Sequence, residues 1–176
     1  MQMVLVWTKG ITEYKSEFKN ITFESPEKCS LCGCVKFHKW GKYVRYVIEK
    51  GADHRIFIQR ICCVKCLKTY SYLPSFCVSG VCYGVDYIMT FLSVLILKLR
   101  YELDELKRRA YMFLRRFAEY ENLWLVFLRT RALGEYPSLK KERQVKIFTA
   151  LLEYHKNGTL MPDFLRETGQ HFMSAK

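Results

Sequence analysis

Most of what would mark an enzyme or a membrane protein is missing from this 176-residue chain. There is no glycine-rich loop to cradle a phosphate, no nucleophile with its base, and no carboxylate triad spaced for metal-assisted phosphoryl transfer. An active site is therefore not expected. No stretch approaches the roughly twenty apolar residues of a spanning helix. The most apolar run, Ile88 to Leu97, is interrupted by Thr90 and Ser93 and stops at Lys98 and Arg100. The N-terminus has only a short apolar run with no basic segment before it, so no secretory signal is read there. Internal repeats and low-complexity runs are lacking. His38, His54, His155 and His171 form no HxxxH or HxxC pattern, and each is read as surface or structural. These absences lead to the expectation of a cytoplasmic, non-enzymatic protein.

Cysteine, by contrast, is abundant. Four of the eight fall in two pairs, Cys29-Ser-Leu-Cys32 and Cys63-Val-Lys-Cys66. A two-residue spacer lets both sulfurs of a pair turn toward one ion, and four thiolates complete the closed tetrahedral shell of a structural zinc. Such a shell leaves no open position for catalysis. Disulfides would require an oxidising compartment, which no secretory signal supports. Cys34, Cys62, Cys77 and Cys82 lie outside the pairs and are read as small buried apolar residues.

Between the pairs, Lys42 to Glu49 is rich in aromatic and β-branched residues, and Arg55 to Ile61 alternates apolar with polar. With a turn at Lys50-Gly51-Ala52-Asp53, the segment predicts a β-hairpin. A third strand is expected at Lys68–Leu73. Knuckle, hairpin and knuckle together make the plan of a zinc ribbon over residues 28–76, preceded by a strand and connection over 1–27. From residue 85 onward the apolar period switches from two to helical. Helices are expected over Asp86–Arg100, over Glu102–Arg131 with a hidden turn near 101–104 or 120–122, over Ser138–Lys156, and from about Pro162 to Gly169. The predicted fold class is α+β, a four-cysteine zinc ribbon followed by an all-α bundle over 85–176. Phe91, Leu95, Phe113, Phe117, Trp124, Phe127 and Phe148 are its expected core.

The net charge of +12 is uneven. Residues 28–68 carry a surplus of +8, and residues 98–116 and 129–146 carry +4 each. A basic face beside a zinc module is the electrostatic footprint of a polyanion binder, most simply DNA or RNA. The candidate contacts are Lys36, Lys39, Lys42, Arg45, Arg55 and Arg60 on the ribbon, and Lys107, Arg108, Arg109, Arg115 and Arg116 on the second helical region. Arg108 and Arg115 are two helical turns apart, as are Arg109 and Arg116, so each pair shares nearly one face. The competing reading is a protein-interaction adaptor that uses the ribbon and aromatic helices as a docking platform.

The run Arg60-Ile-Cys-Cys-Val-Lys-Cys-Leu-Lys-Thr-Tyr-Ser-Tyr-Leu-Pro74 resembles a recurring bacterial pattern, R-x-x-C-x-x-C-x-[KR]-T-[FY]-x-x-L-P. Cys29-Ser-Leu-Cys-Gly33 and the Trp40-Gly41-Lys42-Tyr43 turn fit the same pattern. Over residues 28–76 the chain thus resembles an uncharacterised bacterial zinc-ribbon family related to the N-terminal regions of insertion-element transposases. The resemblance implies DNA binding, with a helix-turn-helix after the ribbon, and an accessory or regulatory role linked to a mobile element. Two departures stand out: Leu67 replaces the usual glycine after the second pair, and residues 86–131 lack a glycine-bearing turn between short helices.

Overall fold

The computed structural model describes residues 1–97, 107–129, 135–158 and 160–168. Strands β1 (Gln2–Leu5), β2 (Phe37–Glu49), β3 (Ala52–Cys63) and β4 (Thr69–Pro74) form one sheet in the order β1-β4-β3-β2. β1 lies parallel to β4, and the other pairs are antiparallel. Helices α1 (Ile11–Glu17), α2 (Val85–Ile96), α3 (Lys107–Glu119), α4 (Glu121–Arg129), α5 (Lys140–Lys156) and α6 (Leu160–Thr168) complete the described α+β fold.

The hairpin forms where expected and is longer than the sequence suggested. Lys50 and Gly51 both take positive φ, +48° and +76°, and join the paired residues Glu49 and Ala52. Two left-handed residues give the turn a twist that matches its strands. At Trp40 the register slips by one residue, and Gly41, at φ +99°, accommodates the bulge. β4 reaches β3 only at Arg60–Cys62, so the outer half of the hairpin projects beyond the other strands. There α1 covers one side. Its Ile11 and Tyr14, with Phe18 of the following 3-10 turn, recur at helical spacing and bury against Val47, Ile56, Ile58 and Leu73. The Tyr14 hydroxyl donates to the Phe57 carbonyl at 2.9 Å. α1 falls in the segment expected as connection, because two turns carry too little periodicity to stand out in the sequence.

The helical core gathers Phe113, Phe117, Trp124, Phe127, Phe148 and Phe164, each nearly or fully buried. The expected core residue Phe91 is buried with them and Leu95 is partly so. The hidden turn falls at Tyr120, between α3 and α4, where the Trp124 indole N–H donates to the Phe117 carbonyl at 2.9 Å. Asn157 and Gly158 stop α5 as predicted, with Gly158 at φ +73°. The boundaries expected at 98–106, 130–131 and 169 lie outside the described residues. Sheet and helices meet at the end of β2. Arg45 donates to the carbonyls of Val78 and Val81 at 2.7 and 2.6 Å, and the buried Glu49 sits against Gly84, the residue before α2. A β-carbon on Gly84 would fall 1.7 Å from a Glu49 carboxylate oxygen, so any side chain there would displace the Glu49 carboxylate.

Candidate metal centre

The sheet end opposite the hairpin tip is built from two loops with the same backbone plan. In the first, Gly33 N–H donates to Cys29 O at 2.9 Å and Cys29 N–H to Cys34 O at 2.8 Å. In the second, Leu67 N–H donates to Cys63 O at 3.0 Å and Cys63 N–H to Lys68 O at 2.9 Å. Gly33 and Leu67 occupy equivalent left-handed positions, with φ of +69° and +60°. For leucine that conformation is strained by about 1–2 kcal/mol.

The loops bring Cys29, Cys32, Cys63 and Cys66 together, with all four sulfurs within 4.8 Å of one another. Cys29 and Cys66 Sγ are 3.5 Å apart, and Cys32 and Cys63 Sγ 3.6 Å. These separations are too long for disulfides, and all eight cysteines are free thiols. A tetrahedral ion with metal–sulfur bonds of about 2.3 Å places its sulfurs about 3.8 Å apart. The cluster therefore could hold one metal ion.

The surroundings favour thiolates on one member of each loop. The Tyr70 hydroxyl donates to Cys29 Sγ at 3.3 Å and, with the Leu31 and Cys32 amides, brings this thiol down to about 6. The Cys66 and Lys65 amides lower Cys63. Cys66 is favoured as a thiolate by the Lys68 amide, but burial and the three neighbouring sulfurs prevail and push it up to about 12. Cys32 has an amide bond from Cys34, and burial with its sulfur neighbours still raises it. Crowded thiols raise one another in this way until a cation relieves the repulsion. Tyr70 is the supporting residue that sequence reasoning missed. Its signal was the period-two placement of Tyr70 and Tyr72 in β4, which puts both on the cysteine side of the sheet.

The remaining cysteines divide. Cys62 and Cys77 are buried as expected, whereas Cys34 is half-buried with its sulfur on the Lys36 amide, and Cys82 is exposed in the loop before α2.

Strand parity separates the basic residues expected on this module. Lys42 and Arg55 share one face, while Arg45 and Arg60 lie on the other. Lys36, Lys39, Lys42 and Arg55 are exposed. Arg45 is engaged by the two carbonyls already described, and Arg60 is half-buried 5.5 Å over the Tyr43 ring. In α3, Arg115 is exposed and pairs with Glu119 at 3.0 Å, and Arg116 is half-buried. The side chains of Lys107, Arg108 and Arg109 lie outside the described residues. Among the described residues no helix is long and apolar enough to cross a membrane. Comparison with family models, curated proteins and solved structures gives no match for this chain.

Proposed function

We propose that this chain is a zinc-dependent nucleic-acid-binding protein, acting on DNA in an accessory or regulatory role. Four thiolates at tetrahedral spacing are the ligand set zinc prefers for a closed structural site, and the resemblance to transposase-associated zinc ribbons points the same way. The observation that carries the reading is the exposed cationic set Lys36, Lys39, Lys42 and Arg55 on a sheet fastened by the cysteine cluster. Little acid opposes it. Of the two acids within residues 28–68, Asp53 is exposed at the hairpin tip. The other, Glu49, is buried, and burial followed by repulsion from Asp86 raises its carboxyl to about 7. A mobile-element setting and a helix-turn-helix among the helices belong to the same proposal.

The deciding experiment is duplex DNA binding by the zinc-loaded protein at low and physiological salt. Counterion release makes log K fall with log salt at about 0.9 per neutralised phosphate, so three or four contacts give a slope near −3. Absence of binding to nucleic acid of either form, duplex or single-stranded, at low salt refutes the reading. The adaptor alternative draws on a specific feature: Leu31, Val35, Val64 and Leu67, on and beside the cysteine loops, are 47–68% exposed. A partner held there would bind with little salt dependence.

A further inference from the structure

The two faces of the hairpin are treated differently by the rest of the chain. One face, with Val47, Ile56 and Ile58, is buried under α1. The other is covered most fully at its cysteine end, where Ile61, Cys63, Tyr70 and Tyr72 pack with Phe23 and Phe37. Toward the tip it is flanked at its margins, by Phe18, whose ring lies 5.7 Å from that of Phe57 and 5.8 Å from Lys42 Nζ, and by Ile48, which packs on the helical core. Val44 and Tyr46 stay exposed between them. Val44 and Phe57 face each other across the strands, as do Tyr46 and Arg55, and these apolar side chains are 40%, 43% and 56% exposed in the order Val44, Phe57, Tyr46. Two cations stand over the rings: Lys42 Nζ is 4.3 Å from the Phe57 centroid, and the Arg55 guanidinium is 5.6 Å from that of Tyr46. Asp53 is the acid on this face, against Lys42 and Arg55, with Lys39 on the same side beyond the bulge.

We infer that the open face of the β2–β3 hairpin is a stacking platform for single-stranded nucleic acid. The inference rests on the nucleic-acid reading above and specifies the form of the ligand. Flat aromatic faces interleaved with cations match a strand whose bases are free to stack and whose phosphates lie alongside. Tyr46 and Phe57 are diagonal neighbours, roughly 7–8 Å apart, which gives separate rings to separate bases. A duplex keeps its bases stacked internally and offers these rings nothing. A second copy of the chain placed face to face would set Lys42 and Arg55 against their own equivalents, and like charges oppose that pairing.

The test is fluorescence anisotropy with labelled oligothymidine, oligouridine and a DNA duplex of equal length, each at two salt concentrations. The protein is the full zinc-loaded chain. Single strands should bind it, and the oligothymidine and oligouridine arms distinguish DNA from RNA as the source. Tyr46→Ala with Phe57→Ala should weaken single-strand binding at least about thirty-fold, with duplex binding within two-fold and the salt slope unchanged. Tyr46→Phe with Phe57→Tyr keeps both rings and should retain the affinity. Lys42→Ala with Arg55→Ala should instead flatten the slope by about 0.7 per cation. Both aromatic positions are exposed, and unchanged zinc content and circular dichroism identify a folded variant. If the wild type binds single strands and the double alanine variant binds them equally, the platform is refuted while nucleic-acid binding stands. If the wild type binds no nucleic acid at low salt, both readings fall. Loss of binding to anionic phospholipid vesicles, rather than to oligonucleotides, would assign the face to a membrane surface and overturn the proposal.

Discussion

The cysteine-held sheet and the helical half solve the same problem with different means. The helical half fills its interior with large rings: Phe117 lies 5.9 Å from Trp124 in a stacked arrangement and 5.8 Å from Phe148 edge-on. Such a core is held by burial of apolar area, at about 25 cal/mol per Å². The cysteine end of the sheet buries only a small cluster around Ile61, Tyr70 and Tyr72. Its two loops are joined by the Val64 N–H to Lys36 carbonyl bond at 3.2 Å and by four sulfurs that repel as thiolates and that a cation would hold together. On the proposed reading one half is held by its solvent and the other by its ligand, so the two should fail under different insults.

The largest effect should follow from removing that ligand. A strong chelator, or Cys63→Ser, should release about one zinc per chain and unfold residues 28–74, because metal affinity on the order of 10 kcal/mol is folding energy there. Metal analysis with amide hydrogen exchange reads both, and the helices should keep their protection. If the metal-free protein keeps its full sheet protection, the contrast between the halves is wrong. The reciprocal break is Phe117→Ala. With Phe117 at 1% exposure, the cavity should cost about 3–5 kcal/mol in denaturant unfolding while the zinc stoichiometry stays at one. A cost below about 1 kcal/mol would mean that the rings are not the fastening of the helical half.

The junction between the halves should respond to pH. The folded protein holds a proton on Glu49 up to about 7, against an ordinary value of 4.5. Between those values the folded state binds more protons than the unfolded state, so stability is full below pH 4.5 and declines as pH rises through 7. Glu49→Gln removes the decline. It should raise stability by about 1–2 kcal/mol at pH 8, allowing for solvent screening, and change little at pH 4. Thermal melts of both proteins across pH 4–8 check the sign. An unfolding midpoint that moves in parallel for both would remove Glu49 from the junction's titration.

The smallest effect compares the cysteine loops with each other. Leu67→Gly should stabilise the second loop by about 1 kcal/mol, because glycine adopts the left-handed conformation freely. Gly33→Leu should cost the first loop a similar amount. Loss of stability in Leu67→Gly would show that the exposed leucine side chain contributes more than its strain costs.

The elements and the sulfur cluster were legible locally. Spacing alone paired Cys29 with Cys32 and Cys63 with Cys66, period two marked the hairpin, and period 3.6 marked the helices and the buried Phe113, Phe117 and Phe148. These signals are short-range, since a knuckle or a helical face is specified by residues a few positions apart. Long-range choices belonged to the tertiary structure. β1 joins β4 across nearly seventy residues, Tyr70 reaches Cys29, and Glu49 meets Gly84 and Asp86. Parity put Lys42 and Arg55 on one face and Arg45 and Arg60 on the other, yet only packing decided which face stayed open. A two-sided strand carries apolar residues on both faces, and its own sequence does not say which of them the rest of the chain will cover.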